Sequence, residues 1–318
     1  MIGTGGMARR HLRALSAMTE DIEIVGHASP TPGHAEAAAA QWGGRAYRDH
    51  EALLAQEAVD AAWIVIPPDQ HGMVERTLIA HGIPFLVDKP LAADLQTAEE
   101  IATLLLEAQA TARRPLIAAV GYHWRAMDTV AGVRETLARR PPRLILAAWH
   151  GATPSPAWWQ RREQSGGQLV EQATHLFDFA RYMNGEATVL AATADHLPRA
   201  AFPDLNVDTS SAVLLRFDNG AAGMVSATCL LQGAPEVYIK FISEGLTVTV
   251  ERSGVIYEDG HERREVRLQG DAVRDENIAF LKAVRENDPS YLYSSYEDAL
   301  KSHHLCWTAQ QMASSLNL

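Results

Sequence analysis

Cysteine is scarce in this 318-residue chain, with Cys229 and Cys306 the only two. Two thiols so far apart form neither a disulfide framework nor a metal-binding spacing, which fits a reducing compartment and leads us to expect a cytoplasmic protein. No apolar run approaches the roughly 18 residues that cross a bilayer, so no membrane span is expected. Arg9 and Arg10 are not followed by an apolar stretch, so no signal peptide is read. A basic excess is also missing. Lys and Arg total 28 against 39 Asp and Glu, giving a net charge of −11 with no block of like charge. That argues against nucleic acid or an anionic membrane as partner. There is no internal repeat and no low-complexity tract. What remains is an ordinary globular composition, 47% apolar and 21% charged, long enough for two domains.

The first part of the chain alternates between two periods. Apolar strand patterns at 22–28, 61–66, 84–87 and 116–120 are separated by helical patterns at 33–42, 49–57, 70–81 and 94–110. This alternation predicts a doubly wound parallel sheet covered by helices on both faces. Ahead of it stands Gly3-Thr4-Gly5-Gly6-Met7-Ala8, a G-x-G-x-x-A spacing that opens a helical pattern running through Met18. Gly3 permits the tight turn, Gly5 lets a pyrophosphate approach the backbone, and Ala8 lets helix and strand pack closely. A strand should precede this loop, and only Met1 and Ile2 do. We therefore expect the natural polypeptide to begin several residues upstream.

Ligands in such sheets lie beyond the C-terminal strand ends. Three clusters fall there: Pro67-Pro68-Asp69-Gln70-His71, Asp88-Lys89-Pro90, and Tyr122-His123-Trp124-Arg125. Lys89, followed by a proline, is expected to point into the crevice, although most lysines are surface residues. His71 reads equally as a cofactor neighbour or a packed histidine. Where an NAD-preferring site has a carboxylate for the ribose 2′-hydroxyl, this chain has Ser29. A hydroxyl accepts a 2′-phosphate that a carboxylate repels, so the reading leans toward NADP, while a simple turn start at Ser29-Pro30 remains the alternative.

Beyond residue 120 the texture changes. Strand patterns at 143–150, 188–194, 209–217, 221–228, 237–242, 247–251, 255–258 and 265–268, with a hairpin signal at Asp218-Asn219-Gly220, predict an α+β domain with an open, mostly antiparallel sheet. We place the division at 1–120 and 121–318. Too few helices follow to cover both sheet faces, so the open face is the expected interface of a homodimer or homotetramer. The tail predicts two helices, 276–285 and 296–315. The segment 165–178, SGGQLVEQATHLFD, opens a predicted helix over 168–182 that places Glu171, His175 and Asp178 on one face. A carboxylate one turn from an imidazole sets its proton affinity; on spacing alone, packing of His175 with solvated acids is the competing reading. Trp158, Trp159, Arg161 and Arg162 precede this segment and line either a sugar-sized pocket or a packed loop.

Together these pieces resemble the Gfo/Idh/MocA (glucose–fructose oxidoreductase / inositol dehydrogenase) family over nearly the whole chain. GTGGMA at 3–8 looks like its nucleotide fingerprint and PPDQH at 67–71 like its Pro-x-x-His turn. VDKPLA at 87–92 resembles its Glu-Lys-Pro signature, with Asp88 in the glutamate place. GGQLVEQATHLFD resembles its Gly-Gly-x-Leu-x-Asp-x-Gly-x-His-x-x-Asp segment, and 206–223 resembles a strand–turn–strand of its second domain. Glu171 stands where the family often has Asp, and Ala173 where it often has Gly.

The resemblance implies a Rossmann domain, a nicotinamide cofactor, and a sugar, polyol or related substrate. It makes Lys89 and His175 the catalytic pair, with Glu171 beside them. Cofactor contacts are expected from Gly3, Thr4, Gly5, Gly6, Met7, Ala8, Ser29, Pro67, Pro68, His71, Asp88 and Lys89. Substrate contacts are expected from Tyr122, Trp124, Arg125, Trp158, Arg162, Glu171 and His175, and no metal is expected. The competing classes are a cofactor-binding regulator without turnover, a cofactor-assisted hydrolase or lyase with no net redox, and a metal enzyme using Glu171, His175 and Asp178.

Overall fold

The computed structural model describes residues 1–18, 22–111 and 114–315. The chain divides into two compact units. The first comprises Met1–Ala92, Gln96–Ala126 and Asp271–Leu300, and the second Ala93–Leu95, Met127–Gly270 and Lys301–Leu318.

In the first unit β1 (Gly26–Ala28) pairs in parallel with β2 (Arg45–Tyr47). β3 (Ala62–Ile64), β4 (Phe85–Val87) and β5 (Ala118–Val120) form a second parallel set in that order. Ile2 joins the two sets through parallel bridges to Ala28 and Ile64. Its N–H donates to Trp63 O at 2.8 Å and its carbonyl accepts from Val65 N at 2.8 Å, while Gly3 N donates to Ala28 O at 2.9 Å. The residue before the glycine loop thus holds the central sheet position that the loop motif demands. A cavity of about 670 Å³ opens beside it, lined in part by Ile24, Val25, Leu53, Val59 and Trp63. The strand predicted over 22–28 is regular only at Gly26–Ala28, and β2 has no counterpart in the sequence reading.

The crossover helices are α1 (Gly6–Ser16), α2 (His34–Trp42), α3 (His50–Leu54), α4 (Met73–Ala80) and α5 (Leu95–Thr111). The second unit begins its helices with α6 (Val130–Arg139), α7 (Arg162–Ser165), α8 (Gln168–Glu171) and α9 (Thr174–Asn184), and α10 (Ala272–Glu286) then returns to the first unit. Its buried side explains that return. Phe280 meets Trp63 edge-on, with ring centroids 5.1 Å apart, and the two pack with Leu15, Leu86, Ile117, Ala119 and Ala283. A segment far along the sequence therefore completes the core that Trp63 begins, which a sequential division at residue 120 does not express. The last helix, α11, spans Tyr296–Ser315.

The second unit is built on an eight-stranded sheet: β6 (Leu144–His150), β7 (Ala187–Asp195), β8 (Ser210–Phe217), β9 (Ala222–Thr228), β10 (Glu236–Ser243), β11 (Leu246–Glu251), β12 (Gly254–Glu258) and β13 (Arg263–Arg267). Its spatial order is β13-β12-β11-β10-β6-β9-β8-β7, antiparallel throughout except for the β6–β9 pair. Residues alternate between faces with the strand period of two. On β8, Val213, Leu215 and Phe217 are buried while Ala212, Leu214 and Arg216 are exposed. α9 covers the buried face, where Phe179 packs on Phe241 with centroids 6.4 Å apart. The other face exposes Leu214 (46%) opposite Met224 (44%), with Leu190 (50%) nearby at a bulge in β7.

One local expectation changes. The helix predicted over 168–182 is two helices, α8 and α9. Gln172 N and Ala173 N both bond the carbonyl of Gln168, so the turn widens before α9 starts. Glu171 and His175 consequently sit on successive helices, and their four-residue spacing is not the pitch of one helix.

Candidate functional site

The glycine loop of the first unit is shaped by contact on one side and openness on the other. Gly3 has φ +91°, and a Cβ there would lie 1.9 Å from Val65 O, so only glycine passes under that carbonyl. Gly5 and Gly6 are exposed, with nothing within 4 Å of an added Cβ. Gly5 caps α1 without any side-chain hydrogen bond. Among the described residues no side chain caps the first turn of α1, and a helix N-terminus in that condition attracts an anion. Ala8 is fully buried against the sheet. These features fit a dinucleotide pyrophosphate above Gly5, with Thr4, Gly6 and Met7 along the same loop.

Around this loop stand the other first-unit residues. Ser29 follows β1, where its hydroxyl accepts from Thr31 N at 3.3 Å and its own N–H donates to Tyr47 O. Pro67 and Pro68 lead a short 3-10 turn, Pro68–Gln70, after β3. His71 follows, buried, with Nδ1 2.6 Å from Glu75 Oε1. The other oxygen of Glu75 accepts from Gly72 N. Asp88 and Lys89 follow β4. Lys89 N donates to Asp88 Oδ1 at 3.0 Å, and the Lys89–Pro90 peptide is cis. A Cβ at position 121 would lie 2.7 Å from Asp88 Oδ1, so Gly121 leaves room for this carboxylate. Lys89 itself is half-buried rather than a free surface lysine.

Three residues expected at substrate are closed off from solvent. Tyr122 and Trp124 are buried, and the Arg125 guanidinium donates to Asp298 Oδ2 at 2.6 Å and to Tyr293 O at 3.1 Å. His11 lies outside the expected site residues. Fully buried on α1, it meets Asn277 Oδ1 at 2.9 Å, the same atom that accepts from Trp63 Nε1. Burial holds the His11 imidazole below its ordinary range, partly offset by the charge of Asp88.

The second unit pairs one indole with an imidazole and another with an acid. His175 is buried in the first turn of α9, and Trp149 of β6 lies parallel to it, 5.9 Å between centroids and 13° between planes. Trp159 is 1% exposed, and its indole N–H donates to Glu171 Oε2 at 2.7 Å. Trp158, its neighbour, is half-buried against the cluster of Trp159, Leu205, Val207 and Cys229. Trp159 is therefore the indole of that loop that meets the acid. Trp149 was legible in principle: it shares the inward parity of Ile145 and Ala147 on β6. Arg162 is committed to structure, with NH2 on Asp208 Oδ1 at 2.6 Å and NH1 on Ser314 Oγ at 2.8 Å. Asp178 accepts from Ser302 Oγ at 2.7 Å and lies 4.0 Å from Arg181. Among the described residues no group of three His, Cys, Asp or Glu gathers as a metal site.

Comparison with known proteins bears on both units. Residues 1–113 match the oxidoreductase family model described as an NAD-binding Rossmann fold, and residues 141–249 match the GFO/IDH/MocA C-terminal domain. An inositol 2-dehydrogenase of Rhizobium meliloti is 27% identical over 228 residues, covering 71% of this chain and 67% of that protein. One from Leifsonia xyli subsp. xyli is 32% identical over 183 residues, covering 58% and 52%. Among solved structures, the UDP-N-acetylglucosamine 3-dehydrogenase GnnA from Acidithiobacillus ferrooxidans superposes with a TM-score of 0.82 at 18% identity, covering 100% of this chain and 97% of that one. Levoglucosan dehydrogenase in complex with NADH superposes with a TM-score of 0.84 at 19% identity, covering 99% and 96%. With matching models for both parts of the chain, and the same fold from end to end, the protein belongs to the Gfo/Idh/MocA family of oxidoreductases.

Proposed function

We propose that the protein is an NAD(P)-dependent dehydrogenase that transfers hydride between the nicotinamide and a hydroxyl or carbonyl carbon of a sugar, polyol or related small molecule. The observation that carries this reading is the loop Gly3–Ala8, which feeds an uncapped α1 N-terminus beside parallel strands. Ser29 in the place of a ribose-binding carboxylate favours NADP over NAD.

Lys89 and His175 are the proposed catalytic pair. The bound nicotinamide supplies the hydride chemistry, and the protein's part is aim and electrostatics. His175 takes the hydroxyl proton during oxidation and returns it during reduction, help worth roughly 10² to 10⁴-fold. Lys89 stabilises the developing alkoxide, a contribution of roughly 3 kcal/mol. Glu171, on the helix preceding that of His175, is the third proposed residue. The exposed face carrying Leu190, Leu214 and Met224 is the proposed contact between copies in a homodimer or homotetramer.

The test is a titration with NADPH and with NADH followed by tryptophan quenching, then a screen of sugars and polyols for a change in reduced-nicotinamide absorbance. Tight NADPH binding with turnover of a polyol or sugar is the expected result. Binding of neither cofactor overturns the dehydrogenase reading, and preferential NADH binding overturns the Ser29 argument alone.

A further inference from the structure

The geometry points to Trp159 as a positioning residue that acts through Glu171, so that this glutamate serves by accepting a hydrogen bond at full reach rather than by its charge toward substrate. The inference rests on the dehydrogenase reading of the same site and deepens it.

An indole N–H is a donor without an acceptor face, and in a buried setting it needs a partner. The N–H of Trp159 has Glu171 Oε2 at 2.7 Å, within the range of a charge-assisted bond. The ring packs in one buried apolar cluster with Leu205, Val207 and Cys229. Its 3-10 turn, Ala157–Gln160, is tied by Asn206 N to Gln160 O at 3.0 Å. Trp159 is thus a fixed body, and the bond transmits that fixity to the end of α8. The widened turn at Gln172–Ala173 separates α8 from α9, so the intrahelical ladder does not set where Glu171 stands relative to His175. The Trp159 bond supplies part of that missing constraint.

Side-chain length decides whether the bond forms. An aspartate at 171 is one methylene shorter and falls short of an indole held in this place. A glutamine has the same reach and keeps a carbonyl oxygen as acceptor, without the charge. The two conservative variants therefore separate reach from charge.

The experiment compares Glu171→Asp, Glu171→Gln and Trp159→Phe in the intact protein, by steady-state kinetics on the polyol or sugar that the wild type turns over. It also follows the indole N–H proton resonance of Trp159, assigned by its loss in Trp159→Phe. Glu171→Asp and Trp159→Phe are expected to lower kcat/KM by a similar factor, on the order of ten- to a hundredfold, the cost of an unmade buried hydrogen bond. Their combination should be no worse than either alone. Glu171→Gln should recover most of that loss and keep the resonance near its wild-type position, while Glu171→Asp moves it upfield. The proposal is overturned if Glu171→Gln is as damaged as or worse than Glu171→Asp, since charge then governs, or if the resonance is indifferent to Glu171→Asp. If the wild type turns over no sugar or polyol the dehydrogenase reading fails by itself, and the resonance still decides whether Glu171 holds Trp159.

Discussion

The indole of Trp149 lies parallel to the imidazole of His175, 5.9 Å between centroids with 13° between planes. Neither residue neighbours the other in sequence; β6 and α9 bring them together across the covered face of the sheet. A ring held flat against an imidazole restricts the plane in which its nitrogens point. Replacing Trp149 by Leu should therefore lower turnover by roughly tenfold while Trp149→Phe restores most of it, from the about 0.5–1.5 kcal/mol that aromatic pairs contribute. Steady-state kinetics of the two variants check this, and equal activity in both would show that the stacking does not orient His175.

Lys89 and His175 should be separable from cofactor retention. Lys89→Ala and His175→Ala are each expected to reduce turnover by at least about 10²-fold while NADPH still quenches tryptophan emission. Survival of turnover in both variants removes the assignment.

The glycine loop offers a contrast within two residues. Gly3→Ala places a methyl group into Val65 O at positive φ and should cost more than about 2 kcal/mol of stability. Gly5→Ala meets open space and should leave stability within about 0.5 kcal/mol while weakening cofactor binding. Urea unfolding and cofactor titration on the two variants separate the structural glycine from the binding one.

Stability should rise with pH up to about 6.5. Burial holds the His11 and His27 imidazoles below their ordinary value. Below about pH 6.5 the unfolded chain therefore binds more protons than the folded one, so the folded state gains as pH increases and the gain levels off above that value. His11→Gln should flatten the slope, leaving the part that belongs to His27. Urea unfolding of the wild type and this variant from pH 5 to 8 is the measurement; an unchanged slope would show that His11 is not its source.

Leu214→Glu, on the exposed face opposite Met224, should shift the protein to a smaller assembly without loss of fold. Sedimentation velocity and circular dichroism decide this. A wild-type monomer would remove the proposed interface.

The sequence by itself determined the periods and the loop chemistry. Alternating strand and helix patterns specify the parallel sheet, Gly3, Gly5 and Ala8 specify a tight turn that opens α1, and two-residue alternation specifies the open sheet, because each is a local consequence of backbone geometry. Tertiary structure alone decided which side chains meet. It returned α10 to the first unit, since Phe280 completes a core around Trp63. It committed Arg125 to Asp298 and Arg162 to Asp208, and it brought Trp159 rather than Trp158 to Glu171. It also divided the expected helix at Gln172–Ala173, so that Glu171 and His175 are placed by packing and not by helical pitch. Contacts between residues far apart in sequence leave no local periodicity, and hydrogen bonds of buried donors go to whichever acceptor the packing supplies.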